Sequence, residues 1–387
     1  MYDVAALDTI GGEVTATYER AELFLIRVIR DALAKMQDEP DWARAHLLAI
    51  RQERYRVEGA MSVLQKQAPK LALKTVDEAY VRGALEAERE IAQLANAGII
   101  NPTTSMALND AAVVALSSEL VSSLAGVNGG ILRRVEDIWR TIVAEATGYS
   151  VTGAMTTFEA AQRSYTRMAR EGLGFFIDSA GRKWSLDTYA EMATRTATTK
   201  ALMAGHTDRM VQSGVDLVVV SSHPNPAPQC APFERKVLSL TGRDTGRIVR
   251  DGHAVTVTAT LDHAIADGLF HPNCRHVLSA YVPGATNLTP PAPDVDSKGY
   301  KATQHQRYLE RQVRASKRME AAAVTPEAKR AARQRARAYQ ARIREHVNAH
   351  NLPRRRHREQ LRTPGGRVAA DYTPPKRDAD VIDLRRD

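Results

Sequence analysis

Leu23, Ile26, Ile29 and Leu33 recur at steps of three and four, a spacing that constrains the chain more than any other feature. Positions so spaced fall on one face of an α-helix, so residues 12–37 read as an amphipathic helix. Segments 41–66, 74–98, 103–126 and 131–147 read the same way, punctuated by the Gly and Pro of "NAGIINPTT" and "AGVNGG". Aromatic residues make up only 5% of the chain, which favours Ala/Leu-rich helices over a β-sandwich. Heptads are not sustained, so separate helices packed antiparallel are expected, and no internal repeat is evident. A chain of 387 residues exceeds what one core usually organises, so two or three units are expected.

The pattern changes near residue 150. Phe175–Asp178 and Arg182–Leu186 flank the turn "SAG" and read as a hairpin. A helix over 188–212 follows, with a capping box expected from Thr188 to Glu191. "VDLVVVSS", "RKVLSL", "HAVTVTAT" and "RHVLSAYVP" read as strands, and "LDHAIADGL" as a short helix before the last of them. The expected fold class is therefore α+β. A helical region (1–149) precedes a small mixed α+β domain (150–284), and a Pro-rich linker (285–300) leads to a basic helical pair (301–350). In the second helix of that pair Thr325 is the expected N-cap and Pro326 the first helical residue, with Ala332, Ala336, Tyr339, Ile343 and Val347 as its apolar stripe. A flexible basic tail (351–387) ends the chain.

Charge is unevenly divided. The chain carries a net +9, yet residues 298–387 hold 24 Lys and Arg against 10 Asp and Glu, whereas the first 297 hold 30 against 35. A mildly acidic body with a strongly basic C-terminal segment points to nucleic acid or an acidic protein surface as partner. No apolar run is long enough to cross a bilayer, and "MYDVAALDTIGGEV" lacks the pattern of a signal peptide. Two cysteines make no disulfide framework, so a soluble protein made in a reducing cytoplasm is expected, with no membrane partner.

Two constellations could carry chemistry. His271, Cys274 and His276 lie within six positions beside one predicted strand, and Cys230 sits in the loop after an earlier one. Four such ligands suit a structural zinc ion. No Cys-x2-Cys pair accompanies them, however, and "HPNC" equally suits a tight turn whose cysteine packs as a small apolar residue. Packing without a cofactor is the leading expectation. No nucleophile elbow, metalloprotease helix or phosphate-binding loop occurs, so no catalytic residue is assigned. The second constellation is basic. Arg307, Arg311, Arg314 and Arg318 recur at steps of four, three and four, followed by Arg354, Arg355, Arg356 and Arg358. Such a face could track phosphates, dock on an acidic protein wall, or simply be solvated.

"LFHPNCRHVLSAYVPG", "YKATQHQRYLERQVRASKR" and "RAYQARIREHVNAHNLPRRRHREQL" together resemble the minor capsid proteins of tailed bacteriophages, a family related to the Mu F-like head morphogenesis proteins. "GRKWSLDTYAEMATRTATTKA" and "VVVSSHPNPAPQCAPFERKVLSL" are similar to its central segments, so the resemblance covers residues 150–362 in order. It implies a low-copy structural protein of the phage head, made in host cytoplasm. Its implied partners are the portal protein and the major capsid or scaffold protein during prohead assembly, and double-stranded DNA. It further implies that Cys230, His271, Cys274 and His276 mark a domain conformation and carry no catalysis. Where related domains have a second upstream cysteine this chain has Phe233, and His276 replaces the last one. The competing readings are a metal-assisted nuclease and a non-catalytic nucleic-acid-binding protein.

Overall fold

The computed structural model describes residues 10–35, 42–101, 108–151, 155–173, 176–177, 181, 183–272, 274–286, 288 and 297–361. The tail expected to be flexible lies outside the described residues from 362 onward, as does most of the expected linker. The fold is α+β, with long helices, a small mixed sheet and a C-terminal pair of helices.

Helix α1 (Gly12–Lys35) carries the predicted face, with Leu23, Ile26, Ile29 and Leu33 all buried. Burial extends further, to Tyr18, Phe24, Leu25 and Val28, because α1 is covered on several sides. A helix buried on most of its faces, polar positions Thr15, Glu19 and Glu22 included, sits at the centre of its bundle. Around it pack α2 (Trp42–Asn96), α4 (Thr157–Glu171), α5 (Leu186–Gln212) and α7 (Lys298–Ala322).

Two expected helix breaks do not occur. Helix α2 runs unbroken for 55 residues with Pro69 inside it, where two helices were expected. Its buried positions Val57, Ala60, Met61, Leu64, Ala68, Ala72, Val76 and Ala79 keep helical spacing straight through the proline. A helix-interior proline costs about 3 kcal/mol, and burial of that continuous stripe offsets it. Helix α3 (Asp110–Val151) likewise continues through its glycines. Leu120 and Ile138, both buried, are about five turns apart at 3.6 residues per turn, so both sides of the Gly-rich stretch face the same core.

Helix α4 has no counterpart among the expected elements. It opens with a capping box in which the Glu159 backbone N–H donates to Thr156 and the Glu159 carboxylate accepts from the Thr156 backbone. It buries Ala160, Ala161, Tyr165 and Ala169, and the Tyr165 hydroxyl donates to the Ile26 carbonyl of α1. The expected capping box of α5 is corrected. Ser185 is the N-cap, Thr188 lies inside the first turn, and Glu191 pairs with Arg195 at 2.9 Å.

Where α2 crosses α5 the two backbones touch. A Cβ on Gly83 would stand 1.9 Å from the Leu202 carbonyl oxygen, and one on Gly205 2.0 Å from that of Tyr80. Only glycine permits such an approach.

The predicted hairpin forms as β1 (Phe176–Ile177) and β2 (Lys183–Trp184), with Phe176 opposite Trp184. The main sheet has five strands in the order β5-β6-β4-β3-β7. Strands β3 (Leu217–Val220), β4 (Val237–Ser239), β6 (His253–Thr260) and β7 (Leu278–Ala280) fall where the apolar runs placed them. Strand β5 (Gly246–Arg250) has no counterpart among the expected elements and forms an edge hairpin with β6. Short helix α6 (Leu261–Ala266) is capped by Thr260. Helix α8 (Pro326–Ala349) opens on Thr325 and Pro326 as expected, and buries Ala332, Ala336, Ile343 and Val347. Leu309 and Val313 of α7 meet Ile343 and Val347 in the core of this helical pair.

Candidate functional site

Strand β3 pairs antiparallel with β4 on one side and with β7 on the other, with Val219 opposite Val237 and Val220 opposite Leu278. The loop leaving β3 and the loop entering β7 therefore emerge side by side at one end of the sheet. Ser221 ties them together: its N–H donates to the Val277 carbonyl at 2.9 Å, and its Oγ accepts from the Val277 N–H at 3.0 Å. This register brings Cys230 to Cys274.

The two Sγ atoms lie 3.6 Å apart, and both cysteines are free and buried. Two Zn–S bonds of about 2.3 Å at a tetrahedral angle would set their sulfurs roughly 3.8 Å apart. A ring nitrogen of His271 joins the two sulfurs within 4.8 Å of each. His276 approaches Cys274, its Nδ1 lying 3.3 Å from Sγ, while its Nε2 is 2.9 Å from Glu234 Oε1. The four predicted ligands thus fall into a group of three, with His276 attached through Cys274. A carboxylate behind an imidazole is the usual support for a ligating histidine, and equally for one that activates a thiol.

The electrostatics follow from these contacts. The hydrogen bond with Cys230, joined by the contacts to His276, lowers the Cys274 thiol. Cys230 moves up, because hydrogen bonding to Cys274 and burial both disfavour its thiolate. Burial pushes His276 down, but its bonds and charge contacts with Cys274 and Glu234 outweigh that and raise it. The result is a buried Cys274–His276 contact backed by the Glu234 carboxylate.

Glu234 was not singled out in the sequence. It also accepts from the His223 backbone N–H at 2.7 Å and from Ser222 Oγ at 3.3 Å. His223 belongs to the same group. Its ring lies 4.7 Å from that of His276, and its Nε2 bonds the Arg275 carbonyl. Proximity along the chain carries no sign of Glu234, which reaches the cluster only because β4 is the neighbour of β3.

The structure divides the predicted arginines. Arg314 and Arg318 are turned inward and buried. Arg318 Nη1 donates to Asp187 Oδ2 at 3.2 Å, and its Nε donates to the Ala169 carbonyl at the end of α4. Arg314 Nη1 donates to the Arg358 carbonyl at 2.8 Å. Burial alone would raise the Asp187 carboxyl, but Arg318 and Arg314 hold it down to about 2. Arg311 is exposed and Arg307 half-buried, so the four do not form one solvent-facing row. Arg354 forks onto Glu359 at 2.7 and 2.8 Å, Arg356 is exposed, and Arg358 is buried. Arg307, Arg355 and Arg358 meet Cys274 and His276 across a cleft of about 280 Å³.

The exposed basic face lies instead on α8. Arg330, Arg333, Arg337 and Arg344 recur at steps of three, four and seven and are all exposed.

The family model of phage minor capsid protein 2 matches residues 5–348. The chain belongs to the phage minor capsid protein 2 family. A structural protein of Lactococcus phage LL-H is 28% identical over 346 residues, covering 84% of this chain and 91% of that protein. No solved structure matches the chain. Membership of this family makes the chain a phage structural protein and a component of the virion. Among the described residues, no helix is long and apolar enough to cross a membrane.

Proposed function

We propose that this minor capsid protein acts in prohead assembly, binding the portal protein or the major capsid or scaffold protein from the head interior through the outer face of α8. The observation that carries this reading is the stripe of exposed cations. Arg330 is paired locally with Glu327 and Arg333 with Glu320. Lys329, Arg337 and Arg344 are exposed and have no ion pair among the described residues. A helix fixed by its apolar stripe against α7 presents these charges in a rigid row, suited to an acidic wall. In this reading the chain is structural and performs no catalysis.

Co-sedimentation with proheads tests it. The double variant Arg337→Glu, Arg344→Glu is expected to lose association with proheads while keeping its helical content. Undiminished association would overturn the proposal. Salt-steep binding to duplex DNA with no affinity for proheads would transfer the stripe to a nucleic-acid role. DNA cleavage by the wild type, lost in His276→Ala, would replace the structural reading by a metal-assisted nuclease.

A second reading concerns the cysteines. The 3.6 Å sulfur separation supports Cys230, Cys274 and His271 as ligands of a structural zinc ion that clasps the two loops.

A further inference from the structure

We propose that the cleft between the Cys/His loops and the C-terminal helical pair binds a phosphate-bearing ligand of about mononucleotide size. One wall is built from His223, Arg275 and His276, and the other from Arg307, Arg355 and Arg358. Glu310 is the sole carboxylate among the lining residues, and it accepts from Gln306 at 3.1 Å. The cleft therefore has an excess of positive charge.

The contrast within one helix is informative. Arg314 and Arg318 of α7, buried elsewhere, face Asp187 and Glu191. About two turns from Arg314 towards the N-terminus, Arg307 faces the cleft, and its buried Nε has no hydrogen-bond partner. Arg275, Arg307 and Arg355 make no ion pair among the described residues. Clustering cations in a partly buried space is unfavourable unless an anion joins them. A carboxylate brings a single charge, whereas a phosphate monoester brings nearly two and three acceptor oxygens for planar guanidinium forks. The volume of about 280 Å³ falls just below the range of small-ligand pockets, roughly 300–1,000 Å³, which suits one phosphate with a sugar-sized group. The site is separate from the outer stripe of α8, which faces solvent.

Isothermal titration of the full chain tests the proposal with inorganic phosphate, a 5′-mononucleotide, a short single-stranded oligonucleotide, and acetate at matched ionic strength. Saturable binding is expected for at least one phosphate probe and not for acetate. Arg275→Gln and Arg355→Gln, on opposite walls, are each expected to weaken it about tenfold, the usual scale for one charge-assisted contact. Arg247→Gln on the exposed edge strand β5 is expected to leave it unchanged. Tightest binding of phosphate, mononucleotide or oligonucleotide identifies the source as the free anion, a nucleotide or a DNA strand. Absence of saturable binding, equal binding of acetate, or indifference to both cleft variants with unchanged circular dichroism would overturn the site.

Discussion

Arg318 Nη1 lies 3.2 Å from Asp187 Oδ2, and both side chains are buried. This pair joins α7 to the first turn of α5, so part of the basic C-terminal segment is built into the body it follows. Removing one partner leaves the other charge uncompensated, which costs about 3–5 kcal/mol. Asp187→Ala is therefore expected to lower the urea midpoint sharply. The double variant Asp187→Leu, Arg318→Met is expected to lose less than the two single changes summed. The same carboxylate carries a pH signature. Its folded pKa of about 2 lies below the ordinary value, so its contribution is present above about pH 4 and fades as pH falls towards 2.

Glu22 shows the opposite sign. Burial first, and the nearby Asp187 charge, push its carboxyl up to about 7 against the pull of Arg318 and Arg314. The folded state then binds a proton that the unfolded state has released, so stability falls as pH rises from about 4.5 to 7. The loss is on the order of 3 kcal/mol over that window. Glu22→Gln is expected to flatten this slope in a pH series of urea melts. An unchanged slope would remove Glu22 as its source.

Gly83 and Gly59 both lie inside α2 but have opposite surroundings. Nothing stands within 4 Å of a Cβ added at Gly59, whereas one at Gly83 meets the Leu202 backbone. Gly59→Ala is expected to stabilise by up to about 1 kcal/mol through helix propensity. Gly83→Ala is expected to destabilise by several times that, since backbone, unlike a side-chain tip, cannot step aside. Thermal melts of the two variants check the pair, and equal responses would mean the helices can separate at little cost.

The zinc reading predicts about one zinc per chain by elemental analysis of protein purified without chelators. Cys230→Ser and Cys274→Ser are each expected to abolish it, and a chelator is expected to lower the melting temperature. A metal-free wild type whose melting is indifferent to chelator would leave the cluster as hydrogen-bonded packing.

Much of the fold was legible where a local pattern coincided with the final environment. The stripe of α1, the Thr325-Pro326 opening of α8 and the alternation of "HAVTVTAT" all specify burial by their own spacing. Pro69 and the glycines of α3 misled because a breaker acts locally, while the buried stripe that overrides it extends for many turns. Thr156 and Glu159 did carry a readable capping signal, missed beside the change of pattern near residue 150. At the candidate site, the meeting of Cys230, Cys274 and His276 was foreseeable from loops flanking neighbouring strands. The inward turn of Arg314 and Arg318 was not, because Asp187 is more than a hundred positions away and nothing local marks it.

Helix α2 has a mechanical consequence. At 1.5 Å per residue its 55 residues extend about 80 Å. Its middle is packed in the helical core through Ala72 and Val76, and further along Ala87 and Ile91 pack with Met210 and Val215. Near that end Glu90 accepts the Ala280 N–H of β7 at 2.9 Å. Bundle and sheet are thus mounted on one beam, stiffened alongside by α5. Displacing the bundle would therefore reach the sheet through α2 and α5 together, with no separate linker between them.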